Sequence, residues 1–169
     1  MIESSRLILR KPIASDFEAY AEMFSDPSVT AHIGGVLKRS ESWARFLRDV
    51  GHWAVEDFGQ YIIVEKATSA FVGKIGFAKF ERNLGIHTKT SIEVTWLLNS
   101  NFHGLGYAKE AGIAVHRWQD LNNPISTACL IAENNLPSLK LAAHLGYEQI
   151  DILHRVSGTA LVLERKCSI

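Results

Sequence analysis

The stretch that decides the fold runs from Trp96 to Ala111 and reads WLLNSNFHGLGYAKEA. Trp96, Leu97 and Leu98 form the end of an apolar strand. A polar turn leads into a loop carrying Gly104 and Gly106. A helix-forming run then begins with Tyr107, Ala108, Lys109, Glu110 and Ala111. A strand, a glycine loop and a helix start make an anion cradle. The first-turn N–H groups lack intrahelical partners, the helix dipole places partial positive charge there, and glycines let backbone approach a phosphate.

The elements on either side say what kind of sheet carries this cradle. Upstream, Arg6–Arg10 (RLILR) reads as a short strand stopped by Lys11-Pro12. Ser15 reads as a helix N-cap with Glu18 completing a capping box, and Asp26-Pro27 closes that helix. His32-Ile33-Gly34-Gly35 is a turn. A second helix is expected from Ser40 to Val55, with Trp43, Phe46, Leu47, Val50 and Ala54 on its buried face. Three strands follow, at Tyr61–Glu65, Phe71–Phe80 and Ser91–Leu98, joined at Thr68-Ser69 and Arg82–His87. Gly73 and Gly76, isolated in the middle strand, signal close backbone packing or a bulge.

Downstream of the cradle, the pattern predicts a helix over Tyr107–Asp120 and a buried strand over Ser126–Ala132. A loop at Glu133-Asn134-Asn135, a short helix over Pro137–Leu145 ended by Gly146, and two strands at Gln149–Leu153 and Ala160–Arg165 complete the chain. The last two meet at a Ser157-Gly158 hairpin turn. The order is β-α-α-β-β-β-α-β-α-β-β. It implies one α/β (α+β) domain over residues 1–169, with a mostly antiparallel sheet and one parallel crossover at the glycine loop.

Composition narrows the function classes. The 169 residues are 47% hydrophobic and 21% charged, and 18 basic residues balance 18 acidic ones. That balance argues against nucleic acid or an anionic membrane as partner. No run approaches transmembrane length, the opening MIESSRLILRK lacks a signal-peptide core, and a cytoplasmic protein is expected. Cys129 and Cys167 have no paired spacing, and the seven histidines have no metal-ligand spacing, so no metal is expected.

Three ligands compete for the cradle. A dinucleotide fingerprint wants a third glycine where Lys109 stands, and three antiparallel strands precede this loop. A nucleotide-triphosphate loop needs a Gly-Lys-Ser/Thr ending, which is absent. A pyrophosphate whose attached group runs along the sheet remains.

The residues then resemble a known family, the GNAT superfamily of acyl-CoA N-acyltransferases. Asn101-Phe102-His103-Gly104-Leu105-Gly106 is similar to its Gln/Arg-x-x-Gly-x-Gly/Ala motif, and Gly106–Ala111 is close to its usual GYATEA. Asn135-Leu136-Pro137-Ser138 resembles Asn-x-x-Ser, and Leu145-Gly146-Tyr147 resembles Leu-Gly-Phe. The opening RLILRKPIASDFEAY and the run Ile92-Glu93-Val94-Thr95-Trp96 resemble the branch that acetylates ribosomal-protein N-termini. Asn101 departs from the usual Gln or Arg, and Leu105 from a common Lys or Arg, which removes side-chain contacts to phosphate.

The resemblance implies a fold with splayed fourth and fifth strands that admit a pantetheine arm, with acetyl-CoA as acyl donor. It implies that Leu97 or Leu98 supplies the N–H that polarises the thioester. His103, Gly104, Leu105, Gly106, Tyr107, Ala108, Lys109, Asn135 and Ser138 become cofactor-binding candidates. Glu93 is the candidate base, beside the ordinary alternative of a carboxylate paired with Arg or Lys. The family's acid tyrosine is replaced by Ala142, so Ser138 becomes the candidate donor to the leaving thiolate, its plainer role being a helix-start contact. Tyr147 and Cys129 read as core residues. His32 and Gly34 are acceptor-site candidates. The expected activity is acetyl transfer to an amine, either a small molecule or a protein N-terminus, by a monomer or homodimer. The rival expectation is a non-catalytic acyl-CoA-binding or sensing module of the same fold.

Overall fold

Short apolar runs separated by turn residues assemble into one sheet. The computed structural model describes residues 1–156 and 158–167, with eight strands in the order β1-β2-β3-β4-β5-β6-β8-β7. They are β1 (Ile2–Glu3), β2 (Leu7–Arg10), β3 (Gln60–Glu65), β4 (Phe71–Lys79), β5 (Ile92–Leu98), β6 (Thr127–Ala132), β7 (Glu148–Arg155) and β8 (Gly158–Arg165). All neighbours are antiparallel except β5 and β6, so the parallel crossover falls at the glycine loop. Ser157, expected in the last hairpin turn, lies outside the described residues.

Helices cover both faces. α1 (Phe17–Ser25), α2 (Pro27–Thr30) and α3 (Arg39–Glu56) precede β3; α4 (Tyr107–Asn122) joins β5 to β6, and α5 (Leu136–His144) joins β6 to β7. Ala111 and Val115 of α4, Ala142 of α5 and Leu145 just beyond it pack with Ile75, Val94 and Leu98 on one face. Tyr20 and Phe24 of α1 and Phe46 of α3 pack with Ile62 on the other. Both layers remove apolar surface from water, the main favourable term in folding.

Gly73 shows why the middle strand carries glycine. A Cβ there would stand 2.2 Å from the Leu97 carbonyl oxygen, so any side chain would push β4 off β5. The pairing with β3 also shifts register between Ile63 and Val64, so close packing and a bulge occur together.

Several local expectations are corrected. β1 has only two residues, too few to carry a sequence pattern. Beyond Asp26, Pro27 at N1 and the Asp26 carboxylate accepting from the Ser28 N–H (2.8 Å) start α2 rather than only ending α1. The first cap is set by Asp16, not by Ser15 and Glu18. Asp16 accepts from the Ile13 N–H (2.7 Å) and from Arg10 (2.6 and 2.8 Å), while Glu18 pairs with Arg39 at the surface. Arg10, fixed at the end of β2, selects the nearer carboxylate.

The face of α3 is also rotated from the expected one. Phe46 and Trp53 are buried with Ser42 and Asp49, whereas Trp43, Leu47 and Val50 are 43%, 48% and 37% exposed and Ala54 is exposed. The apolar period loses to a charge: β4 presents Lys74 toward α3, and Asp49 turns inward to meet it. A buried ammonium without a counterion costs more than exposing part of several apolar side chains.

Candidate functional site

A gap between β5 and β6 is the centre of the site. The two strands pair at a single register, Glu93 with Ala128, and diverge toward their C-terminal ends. On the other edge of β5, the Asn99 N–H donates to the Val72 carbonyl (2.9 Å), which fixes the phase of the ladder. Antiparallel strands alternate the edge their backbone groups face. Leu97 therefore turns its N–H and C=O to β4, and Trp96 and Leu98 turn theirs to the gap. Of the two sequence candidates for the carbonyl-polarising donor, only Leu98 lies on the gap edge, and Trp96 joins it there.

The glycine loop closes the open end of the gap. Gly104 and Gly106 have φ of +75° and +79°, a left-handed conformation that glycine adopts without strain. The N–H groups of Gly104, Leu105, Gly106, Tyr107, Ala108 and Lys109 reach no acceptor among the described residues. The start of α4 adds the positive end of a helix dipole. Such a row is suited to an anion, and a Cβ at Gly104 would meet nothing within 4 Å, so the approach is open.

Arg6, which the sequence reading did not single out, holds this loop. Its Nη1 donates to the Leu105 carbonyl (3.1 Å), its Nε to Glu110 (2.7 Å), and its guanidinium lies 4.2 Å from the Tyr107 ring centre. The Arg6 N–H and the Ser4 hydroxyl also donate to Glu110, at 2.7 and 2.8 Å. Glu110 therefore sits one turn from the anion cradle with its charge compensated. Burial pushes its pKa up, but these donors outweigh that and hold it below the usual range. Tyr107 is buried and donates to Glu65, so its side chain fixes the loop rather than facing a ligand.

The other candidates divide between the gap and its surroundings. His103 donates from Nε2 to the Leu98 carbonyl (2.9 Å), turning its ring onto the strand. Lys109 is exposed on the first turn of α4. Across the gap, Asn135 caps α5 and accepts from the Ser138 N–H (3.3 Å), while Trp96 Nε1 donates to the Ser138 hydroxyl (3.3 Å). His32, from the turn after α2, reaches over to Asn134 next to that cap, with Nδ1 3.2 Å from Asn134 Oδ1. Gly34 lies in the same exposed turn at φ +104°. The fold thus brings the glycine loop, Trp96, Leu98, Asn135 and Ser138 to one gap, with His32 beside Asn134 next to the α5 cap.

Glu93 lies apart from that group. It is 1% exposed, and both its oxygens accept from Arg82, at 2.9 and 2.5 Å. Nearby on the same face, Lys74 donates to Asp49 and lies 3.4 Å from the Tyr20 hydroxyl, which itself donates to Asp49 (2.8 Å). Burial raises the Asp49 pKa, yet the charge of Lys74 outweighs it and the net direction is down; burial lowers Lys74. Cys129 and Tyr147 are buried, and burial raises both pKa values. Tyr147 shares hydrogen bonds with His116 (2.8 Å) and Thr127 (2.5 Å).

A mixed sheet with a glycine loop at the open end of its single parallel pair is the architecture of acyl-CoA acetyltransferases. A profile of the acetyltransferase (GNAT) domain matches residues 6–148, and the chain belongs to that family. Among its relatives, the uncharacterised N-acetyltransferase YnaD of Bacillus subtilis is 26% identical over 149 residues, covering 86% of this chain and 81% of that protein. The structure of a GNAT-family acetyltransferase from Bordetella pertussis superposes with a TM-score of 0.86 at 27% identity, covering 97% and 98% of the two chains. The ribosomal-protein N-acetyltransferase RimL, solved with coenzyme A, shares the fold at a TM-score of 0.77 and 12% identity, covering 97% and 96%. No helix among the described residues is long and apolar enough to cross a membrane.

Proposed function

We propose that the protein transfers an acetyl group from acetyl-CoA to a primary amine by direct attack in a ternary complex. The observation that carries this reading is the row of unpartnered N–H groups from Gly104 to Lys109 at the open end of the β5–β6 gap. The diphosphate rests on that row and the pantetheine arm runs along Trp96 and Leu98. The helices that hold the donor, α4 and α5, pack on one face of the sheet, so the amine reaches the thioester from the α1–α3 face. Its nitrogen attacks the carbonyl carbon, the N–C bond forms, and the C–S bond breaks. Backbone N–H groups on the gap edge stabilise the oxyanion.

Ser138 donates a hydrogen bond to the leaving thiolate, and the thiolate becomes free thiol by taking up the proton that leaves the amine. The Trp96 N–H occupies a lone pair on the Ser138 oxygen and strengthens the hydroxyl as a donor. His32 takes the proton from the amine: with Nδ1–H on Asn134, the lone pair of Nε2 is free. Glu93 has both oxygens committed to Arg82, and its role in this scheme is to position that guanidinium. The acceptor is a small molecule or a protein N-terminus, bordered by the turn carrying His32 and Gly34.

Release of free thiol from acetyl-CoA across an amine panel tests the reading. Transfer should survive in Glu93→Gln and fall on the order of 100-fold in His32→Gln, the usual worth of a general base. The reverse pattern would return the base to Glu93. The engagement of Glu93 by Arg82 also favours a second reading, an acyl-CoA-binding module without transfer. Tight coenzyme A binding with no acetylation of any amine would select that one.

A further inference from the structure

The face of the sheet from which the amine must come carries an excess of positive charge. Lys74, Arg45, Arg48 and Arg82 stand against the carboxylates of Asp49 and Glu93, leaving two charges uncompensated. Lys74 and Arg82 hold the two carboxylates. Arg48 has a single 3.3 Å contact to an Asp49 that Lys74 already engages, and its side chain is half exposed. Arg45 forms no hydrogen bond or ion pair among the described residues; its guanidinium lies 5.0 Å from the Phe24 ring centre. Glu41, one turn before it, is occupied at the start of α3, accepting from the Lys38 N–H (2.7 Å).

These cations share aromatic neighbours: Arg45 and Lys74 both approach the Phe24 ring, at 5.0 and 5.9 Å. Arg48 and Arg82 lie 4.9 and 5.1 Å from one ring, Phe80, which ties α3 to the segment that covers Glu93. Lys74, the register partner of Leu97, is the buried end of this cluster, one strand away from the gap. Burial, with added repulsion from Arg48 and Arg82, lowers the pKa of Arg45, and an anion beside it would relieve that cost.

We propose that the acceptor amine carries an anionic group, a carboxylate or equivalent oxyanion, that lands on Arg45 and Arg48 while its amine reaches the gap. This rests on the acyl-transfer reading above. Guanidinium groups suit that task because they present planar paired donors matched to a carboxylate. Free amino acids and peptides with acidic residues next to the N-terminus both carry this chemistry.

Matched pairs test it and separate those sources. One arm compares free amino acids with their amides, the other short peptides bearing Glu at positions two and three with the Gln counterparts. The acidic member of at least one pair should be preferred about tenfold in kcat/KM, the worth of one charge-assisted hydrogen bond. The double variant Arg45→Gln, Arg48→Gln should erase that ratio through KM rather than kcat. Equal use of acid and amide, preference for polycationic amines, or a ratio that persists in the double variant would overturn the inference. Calorimetry with N-acetylated acid and amide on the coenzyme A-loaded protein reads the same preference without turnover. Acid-selective binding with no acetylation supports the anionic site and defeats the transfer reading; equal binding defeats the anionic site.

Discussion

The α4 side of the sheet presents backbone donors that have no partner, whereas the α1–α3 side presents charged side chains that mostly already have one. On the first side, Gly104 to Lys109 offer N–H groups whose direction follows from two left-handed glycines and a helix start. On the second, Lys74 meets Asp49 and Arg82 meets Glu93 across separations of 25 and 11 residues. Backbone donors are fixed in number and cannot be neutralised by a substitution. Side-chain charges can be exchanged singly by substitution.

The sharpest way to break this contrast is to unpair the α1–α3 side. Asp49→Ala leaves Lys74 buried without a counterion, and urea denaturation should show a loss of about 3–5 kcal/mol. The double substitution Asp49→Leu, Lys74→Met should recover most of it, since an apolar pair replaces a buried ion pair at little cost. Coenzyme A affinity of the refolded double variant should stay within about twofold of the parent, a difference of roughly 0.4 kcal/mol, because the donor half is built elsewhere.

The next test sits on the α4 side, where His116 of α4 is buried. Burial lowers its pKa from 6.5 to about 4, against the opposing hydrogen bond to the Gly112 carbonyl. The unfolded chain therefore takes up the proton first as pH falls. Stability from this group is complete above pH 6.5 and is lost between pH 6.5 and 4, amounting to about 3 kcal/mol. Thermal melts across that window should flatten by a similar amount in His116→Gln.

Two smaller changes probe the cradle itself. Gly106→Val forces a β-branched residue to φ +79° and should weaken coenzyme A binding about 30-fold, roughly 2 kcal/mol. Leu105→Lys restores a charge that the loop lacks. It should tighten binding by a few-fold, about 0.5–1 kcal/mol, an effect that fades as salt is raised.

The same contrast decides what could be read from the sequence. The cradle was legible because strand, glycines and helix start are contiguous, and the splayed pair followed from the family pattern around it. Asn135 and Ser138 were legible for the same reason. The Arg6 clasp was not: its partner Glu110 lies 104 residues away, and nothing in RLILRK indicates which carboxylate it meets. The face of α3 was misread because an apolar period at Trp43, Leu47 and Val50 gives no hint that Asp49 would be called inward by Lys74. Glu93 reads in the sequence as a carboxylate that needs a reason to be buried, and Arg82 is the partner that supplies it.

The central claim, that the backbone row from Gly104 to Lys109 grips a diphosphate, is tested most directly by calorimetry with 3′-dephospho-coenzyme A and pantetheine. The diphosphate-bearing ligand should bind at least about 100-fold more tightly, a difference of roughly 2.7 kcal/mol. That ratio should shrink in Gly106→Val and persist in Lys109→Gln. Equal affinities, or a ratio that survives Gly106→Val and vanishes in Lys109→Gln, would show that side-chain charge and not the loop backbone holds the ligand.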